Sequence, residues 1–132
     1  MSIKRRTLLA AAITGCLLSS FTFSVSAETA KLDKIHFLIP GGAGGGWDGT
    51  ARGTGEALTK SGLVKEASFQ NMSGGGGGKA IAHIIETAKN AEDTLMVNST
   101  PIVVRSITKV FPQSFRDLTP VAGVIADYGA LV

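Results

Sequence analysis

Ile35-His36-Phe37-Leu38-Ile39-Pro40-Gly41-Gly42-Ala43-Gly44-Gly45-Gly46-Trp47-Asp48 is the stretch on which the fold turns. A short, mostly apolar run stopped by proline has the profile of a buried strand. A glycine-rich loop follows, Gly41 to Gly46, and then Asp48, a residue type favoured at helix N-caps. The helix it opens runs to about Lys60 and is ended by Gly62. Gly53 and Gly55 weaken that helix by about 1 kcal/mol each against alanine.

The same order recurs downstream. Glu28 to Lys34 is a polar lead-in to the first strand, and Ala67–Gln70 reads as a second strand. A second glycine loop, Ser73 to Gly78, leads into a helix from about Lys79 to Lys89, on which Ala80, Ile81, Ile84, Ile85 and Ala88 form one apolar stripe. Thr94–Val97 is a third strand. Pro101 opens a third helix with Ile102, Val103 and Ile107 buried, and Val121 to Ile125 begins a fourth strand. Strands alternating with helices predict an α/β fold, a mostly parallel sheet with helices on both faces. Such sheets bind ligands at the carboxyl ends of their strands, where both glycine loops fall.

The chain opens with an export signal. Lys4, Arg5 and Arg6 precede an apolar run, Thr7 to Leu18, that is short for a bilayer span, and Val25-Ser26-Ala27 fits a cleavage site. Residues 1–27 are therefore expected to be removed and residues 28–132 to be periplasmic. An uncleaved anchor, a lipoprotein box at Ile13-Thr14-Gly15-Cys16 and a twin-arginine signal fit less well. Of 13 basic side chains three lie in the leader, leaving ten against ten acidic ones, a formal net charge of zero. That balance gives no support to nucleic-acid or anionic-membrane binding. Cys16, the only cysteine, leaves with the leader, so the mature chain folds by core burial without a disulfide. Val121 to Val132 is strand-like, with a bend at Asp127-Tyr128-Gly129 and no polar tail, so the chain reads as the front portion of a longer one.

Each loop feeds a helix amino terminus, where unpaired N–H groups and the positive end of the dipole favour anions without any lysine or arginine. Two such loops suit a ligand with more than one carboxylate. Nucleotide motifs fit less well. Ser73 to Ala80 departs from a Walker loop at both ends. Gly44, Gly46 and Gly49 match G-x-G-x-x-G, but the second strand ends in Phe69-Gln70-Asn71 with no acid for ribose hydroxyls. No catalytic set or metal spacing appears. His36 and His83 read as structural or surface histidines, and Ser99 has no base near it in sequence. Asp48 reads as an N-cap, with contact to a ligand amine as the alternative. Trp47 is a pocket wall or a core anchor. No enzyme activity and no cofactor are expected.

Ile39-Pro40 leading into Ala43-Gly44-Gly45-Gly46-Trp47-Asp48, then Ala51-Arg52, Asn71 with its glycine run, Asp93-Thr94-Leu95 and Asp117-Leu118-Thr119-Pro120-Val121-Ala122 form a spaced set. With Asp127-Tyr128-Gly129, this set resembles the substrate-binding receptors of tripartite tricarboxylate transporters, the Bug-type receptors. The resemblance runs from about Leu32 to Val132. It implies a two-lobed, Venus-flytrap receptor of periplasmic-binding-protein type II architecture, with this chain supplying most of the first lobe. It also implies a small di- or tricarboxylate ligand, citrate-like, and membrane transporter subunits as partners. The ligand would lie between the two loops, against Gly41, Gly42, Ala43, Gly44, Gly45, Gly46 and Asp48 on one side and Ser73, Gly74, Gly75, Gly76 and Gly77 on the other. Ser99 and Thr100 would supply side-chain contacts. Many relatives carry Arg-Pro after the loop asparagine, where this chain has Met72-Ser73, a difference that bears on ligand identity. An exported dinucleotide-binding enzyme domain and a ligand-binding partner of a sensor system are the competing functions.

Overall fold

The computed structural model describes residues 31–126; the expected export signal over residues 1–27 and the expected bend at Asp127-Tyr128-Gly129 lie outside the described residues. Strand β1 spans Leu32–Ile39, helix α1 Gly46–Lys60 and β2 Val64–Asn71. After a 3-10 turn at Gly75–Gly77 come α2 (Gly78–Thr87), β3 (Thr94–Met96) and α3 (Thr100–Ile107). The sheet is three-stranded and parallel, in the order β2-β1-β3. The expected α/β class with a parallel sheet is thus present among the described residues.

Both first strands begin earlier than their apolar runs. Leu32 pairs with Val64 and Lys34 with Glu66, so ladder pairing carries polar residues into the sheet. Period-two alternation then sorts the faces. Ile35, Phe37 and Ile39 are buried with Ala51 of α1, and Ala67, Phe69 and Leu95 pack against that cluster. Phe37 and Phe69, register partners on adjacent strands, stack with ring centroids 5.4 Å apart. The alternate residues His36 and Leu38 turn to the other face, where His83 and Ile84 of α2 share a cavity with them. Ile81 of α2, Ile102 of α3 and Phe111 form a second buried cluster with Met96 packed on it. Helices therefore lie on both faces.

Gly55 has a packing reason to interrupt α1. An alanine Cβ there would stand 2.6 Å from Phe69 Cζ, so glycine lets the helix sit on β2. Gly53 has none, since nothing approaches within 4 Å. Three expectations change. The apolar stripe of α2 is buried at Ala80 and Ile81 but reaches 37% exposure at Ile85. In α3 the buried face is centred on Ile102 and Ser106, one turn apart, which swings Ile107 out to 61% exposure. Val121–Ile125 forms no strand: no described strand offers it a ladder, and Val121, Val124 and Ile125 are largely exposed. None of the helices in the described residues is long and apolar enough to cross a membrane.

Candidate functional site

The first loop is held by one carboxylate. Helix α1 starts at Gly46 with Gly45 at the N-cap, so Asp48 is the third helical residue and not the cap the sequence suggests. From there it reaches back past the N-cap to accept the Gly44 N–H at 2.9 Å. Gly44 takes a φ of 80°, a left-handed turn that glycine adopts without cost. Arg52, one turn on, donates Nε to both Asp48 oxygens at 3.0 and 3.1 Å. The guanidinium rests 5.1 Å from the Phe69 ring centroid, within cation–π distance. Asn71, at the end of β2, donates to Asp48 Oδ1 at 3.0 Å and to the Gly41 carbonyl at 3.1 Å. Asp48 is 4% exposed, yet ionised. Hydrogen bonds from Arg52, Gly44 and Asn71 outweigh its burial and hold its pKa at about 2.

The second loop is built differently. Gly74, Gly75, Gly76 and Gly77 all have positive φ, at 139°, 56°, 64° and 102°. A Cβ on Gly77 would fall 2.2 Å from Ile102 Cδ1, and one on Gly78 2.5 Å from Phe111 Cβ. This left-handed run folds its own carbonyls over the amino end of α2. Gly74 O accepts from Gly77 and Lys79, and Gly75 O accepts from Gly78. Arg105 of α3 donates to Gly76 O at 3.1 Å. The two loops were expected to present equivalent open helix ends. At α2 these first N–H groups are already taken.

Beside the start of α1 lies an open, mainly apolar cleft of about 190 Å³, lined by Gly41, Gly42, Gly45, Gly46, Trp47, Ser99 and Pro101. The cleft lies past the carboxyl ends of β1 and β3. There the chain order reverses: the β1 crossover leaves for β2 and the next returns to β3, a topological switch point. The structure thus brings Gly41, Gly42, Gly45, Gly46 and Ser99 to one cleft. Ala43, Gly44 and Asp48 do not line it, because the loop turns there to reach the Asp48 carboxylate. Ser73 does not line it either, although its Oγ lies 4.0 Å from where a Gly42 Cβ would be. Gly74, Gly76 and Gly77 face Lys79, Arg105 and Ile102, Gly75 has nothing near it, and none of the four lines the cleft; Thr100 is exposed at the start of α3.

Trp47 fills both roles that the sequence leaves open. It is half-buried against both apolar clusters, and its ring is a wall of the cleft. Gly41 permits this, since a Cβ there would press within 3.2 Å of Trp47 Cε3. The indole Nε1–H donates to Ser99 Oγ at 2.8 Å. Sequence reading missed this pair because 52 residues separate its members; the i,i+4 spacing of Asp48 and Arg52 was a usable signal for the other.

His36 and His83 share a second cavity of about 200 Å³ between the sheet and α2, with Gln70, Thr87, Asn90 and Thr94. His36 is bound to Ser68 Oγ at 2.8 Å and Gln70 Oε1 at 3.3 Å. Among the described residues there is no group of three or more His, Cys, Asp or Glu placed to hold a metal ion. Compared with family models, curated proteins and solved structures, the chain matches none.

Proposed function

We propose that this chain is the first lobe of an exported, type II periplasmic solute receptor that captures a small, citrate-like di- or tricarboxylate. It would pass that ligand to the membrane subunits of a tripartite tricarboxylate transporter. The observation that carries the reading is the cleft at the switch point, bordered by the glycine-rich first turn of α1 and by Ser99. N–H groups at such a helix end bind carboxylates through the backbone. Asp48 does not oppose an anion there, because its charge is matched by Arg52 and turned away from the cleft. A shallow site on one lobe also suits closure by a second lobe, which excludes water and strengthens each polar contact.

The dinucleotide reading is less well supported. In that motif the third glycine serves close helix–strand packing. Here Gly49 has nothing within 4 Å of a built Cβ, and Asn71 at the end of β2 is engaged with Asp48.

Calorimetric titration of residues 28–132 with citrate and with NAD tests the proposal. NAD binding overturns the proposal, and citrate binding at micromolar concentration by this chain alone overturns its two-lobe form. One lobe gains little: each N–H contact nets about 0.5–1.5 kcal/mol against the several lost in rigid-body freedom, so citrate binding by residues 28–132 is expected to be weak or absent.

A further inference from the structure

The second cavity, of about 200 Å³ between the sheet and α2, shares no lining residue with the cleft beside α1. Packing of α2 on the sheet is closest at Ala80 and Ile81, both fully buried; one turn on, Ile84 is half-buried and lines the cavity. Polar side chains from every neighbouring element converge there: His36 of β1, Gln70 of β2, His83 of α2, Asn90 after that helix and Thr94 of β3. Leu38 and Ile84 supply an apolar part.

Some of these polar groups are spent on the protein. His36 is held by Ser68 Oγ at 2.8 Å and Gln70 Oε1 at 3.3 Å, and Thr87 donates its hydroxyl proton to the His83 carbonyl at 2.7 Å. The Gln70 NH₂ group, the His83 ring, the Asn90 amide and the Thr94 hydroxyl have no partner among the described residues. Gln70 NH₂ only donates, whereas the Asn90 amide and the Thr94 hydroxyl both donate and accept. No Lys, Arg, Asp or Glu lines the cavity.

That mixture selects by chemistry. A carboxylate only accepts and an ammonium only donates, so each would meet groups of the wrong kind and no opposite charge to offset its desolvation. A hydroxyl donates and accepts at once, and a carbon chain bearing several hydroxyls has C–H surface to lay on Leu38 and Ile84. Size limits the choice further. A cavity of about 150 Å³ admits benzene, so this one takes roughly six to ten non-hydrogen atoms.

We propose that this cavity is a second binding site, for a small uncharged polyol of roughly three to five carbons. The inference is independent of the carboxylate reading, because the site is built wholly from other residues of the chain.

Nuclear magnetic resonance at fixed pH on residues 28–132 tests it, since both histidines of the chain lie on this cavity and its single tryptophan lies on the other cleft. Erythritol and succinate share a four-carbon skeleton and differ in carrying hydroxyls or carboxylates; 1,4-diaminobutane carries ammonium groups instead. Erythritol should move the His36 and His83 ring signals saturably at millimolar concentration, the range for so small a ligand, and leave the Trp47 indole signal in place. Neither charged compound should saturate the histidine signals. Asn90→Ala and Thr94→Val should each weaken erythritol about three- to tenfold, as loss of one hydrogen bond does. Ala91→Leu, which fills the cavity, should abolish binding, with circular dichroism confirming the fold of each variant. No saturable shift with erythritol, saturation of the histidine signals by either charged compound, or unchanged erythritol affinity in the three variants overturns the inference. Each of those outcomes leaves the carboxylate proposal standing, because its ligand is read at Trp47.

Discussion

Asn71 spends both protons of its amide on the first loop: one goes to the Gly41 carbonyl at 3.1 Å, the other to Asp48 Oδ1 at 3.0 Å. The end of β2 thereby clamps the turn after β1 to the first turn of α1. Asn71→Ala should cost about 1–3 kcal/mol, the penalty for leaving such partners unsatisfied, and lower the melting midpoint by several degrees. Asn71→Asp should be worse, since it sets a second carboxylate beside Asp48. Thermal melts followed by circular dichroism check both. An Asn71→Asp protein as stable as the wild type would show that the clamp is not what holds the loop.

Asp48 makes the clamp sensitive to acid. Its pKa is held at about 2, below the ordinary 3.8. A carboxyl whose pKa is depressed by folding stabilises the fold above its unfolded value and loses that contribution as pH falls toward the folded value. Urea midpoints should therefore drop between about pH 4 and pH 2. Asp33, Glu56 and Asp93 are also lowered, by Lys65, Lys60 and Lys34, but these are surface pairs that salt screens. At high salt the remaining slope should belong to Asp48. Asp48→Asn should be less stable at pH 7 and nearly flat across that range.

The two predictions rest on parts of the molecule that were unequally legible. Strand β1 announced itself because Ile35–Ile39 is a mostly apolar run and Pro40 stops it; the sheet class followed from repetition of the same grammar. The two polar extensions, Leu32–Lys34 and Val64–Glu66, were invisible because only their mutual ladder makes them strands. Val121–Ile125 is the converse, a strand-like composition with no partner among the described residues. The first loop was readable as a site because its glycines meet a helix end at the edge of the sheet. The second was over-read. Its glycines look equivalent in sequence, but four successive positive φ values turn carbonyls, not ligand space, onto α2. The Trp47–Ser99 bond is a product of the β1–β3 pairing and leaves no local trace.

Helix α3 ends on a non-glycine residue in the conformation that glycine prefers. Lys109 has φ 59°, while Val110 N donates to Arg105 O and Lys109 N to Ser106 O, the pattern of a Schellman cap. The left-handed backbone costs a side-chain-bearing residue about 1–2 kcal/mol. The matching turn after α1 is closed by Gly62 at φ 72°. Lys109→Gly should accordingly stabilise the protein by about 1 kcal/mol, less the entropy glycine regains when unfolded. A rise in urea midpoint at unchanged slope is the expected reading, and a fall would mean that the lysine side chain contributes more than its backbone strain costs.

The glycines of the second loop should separate by what surrounds them, not by their place in the run. Gly75 has φ 56° and nothing within 4 Å of a built Cβ, so Gly75→Ala bears only the left-handed strain, about 1–2 kcal/mol. Gly77 combines φ 102° with a built Cβ 2.2 Å from Ile102 Cδ1, and Ile102 is one of the most deeply buried side chains of the α2–α3 cluster. An alanine there must displace Ile102 from its contacts with Ile81 and Phe111 or push the loop off Pro40, whose Cβ lies 3.6 Å away. Overpacking of a closed core costs about 1–3 kcal/mol beyond the backbone strain. Gly77→Ala should therefore be clearly less stable than Gly75→Ala, and Gly77→Ala with Ile102→Val should recover part of the loss by removing the Cδ1 that clashes. Denaturant midpoints of the three proteins decide it. Equal midpoints for the two single variants would show that the loop relaxes freely and that its glycines are kept for reasons other than packing.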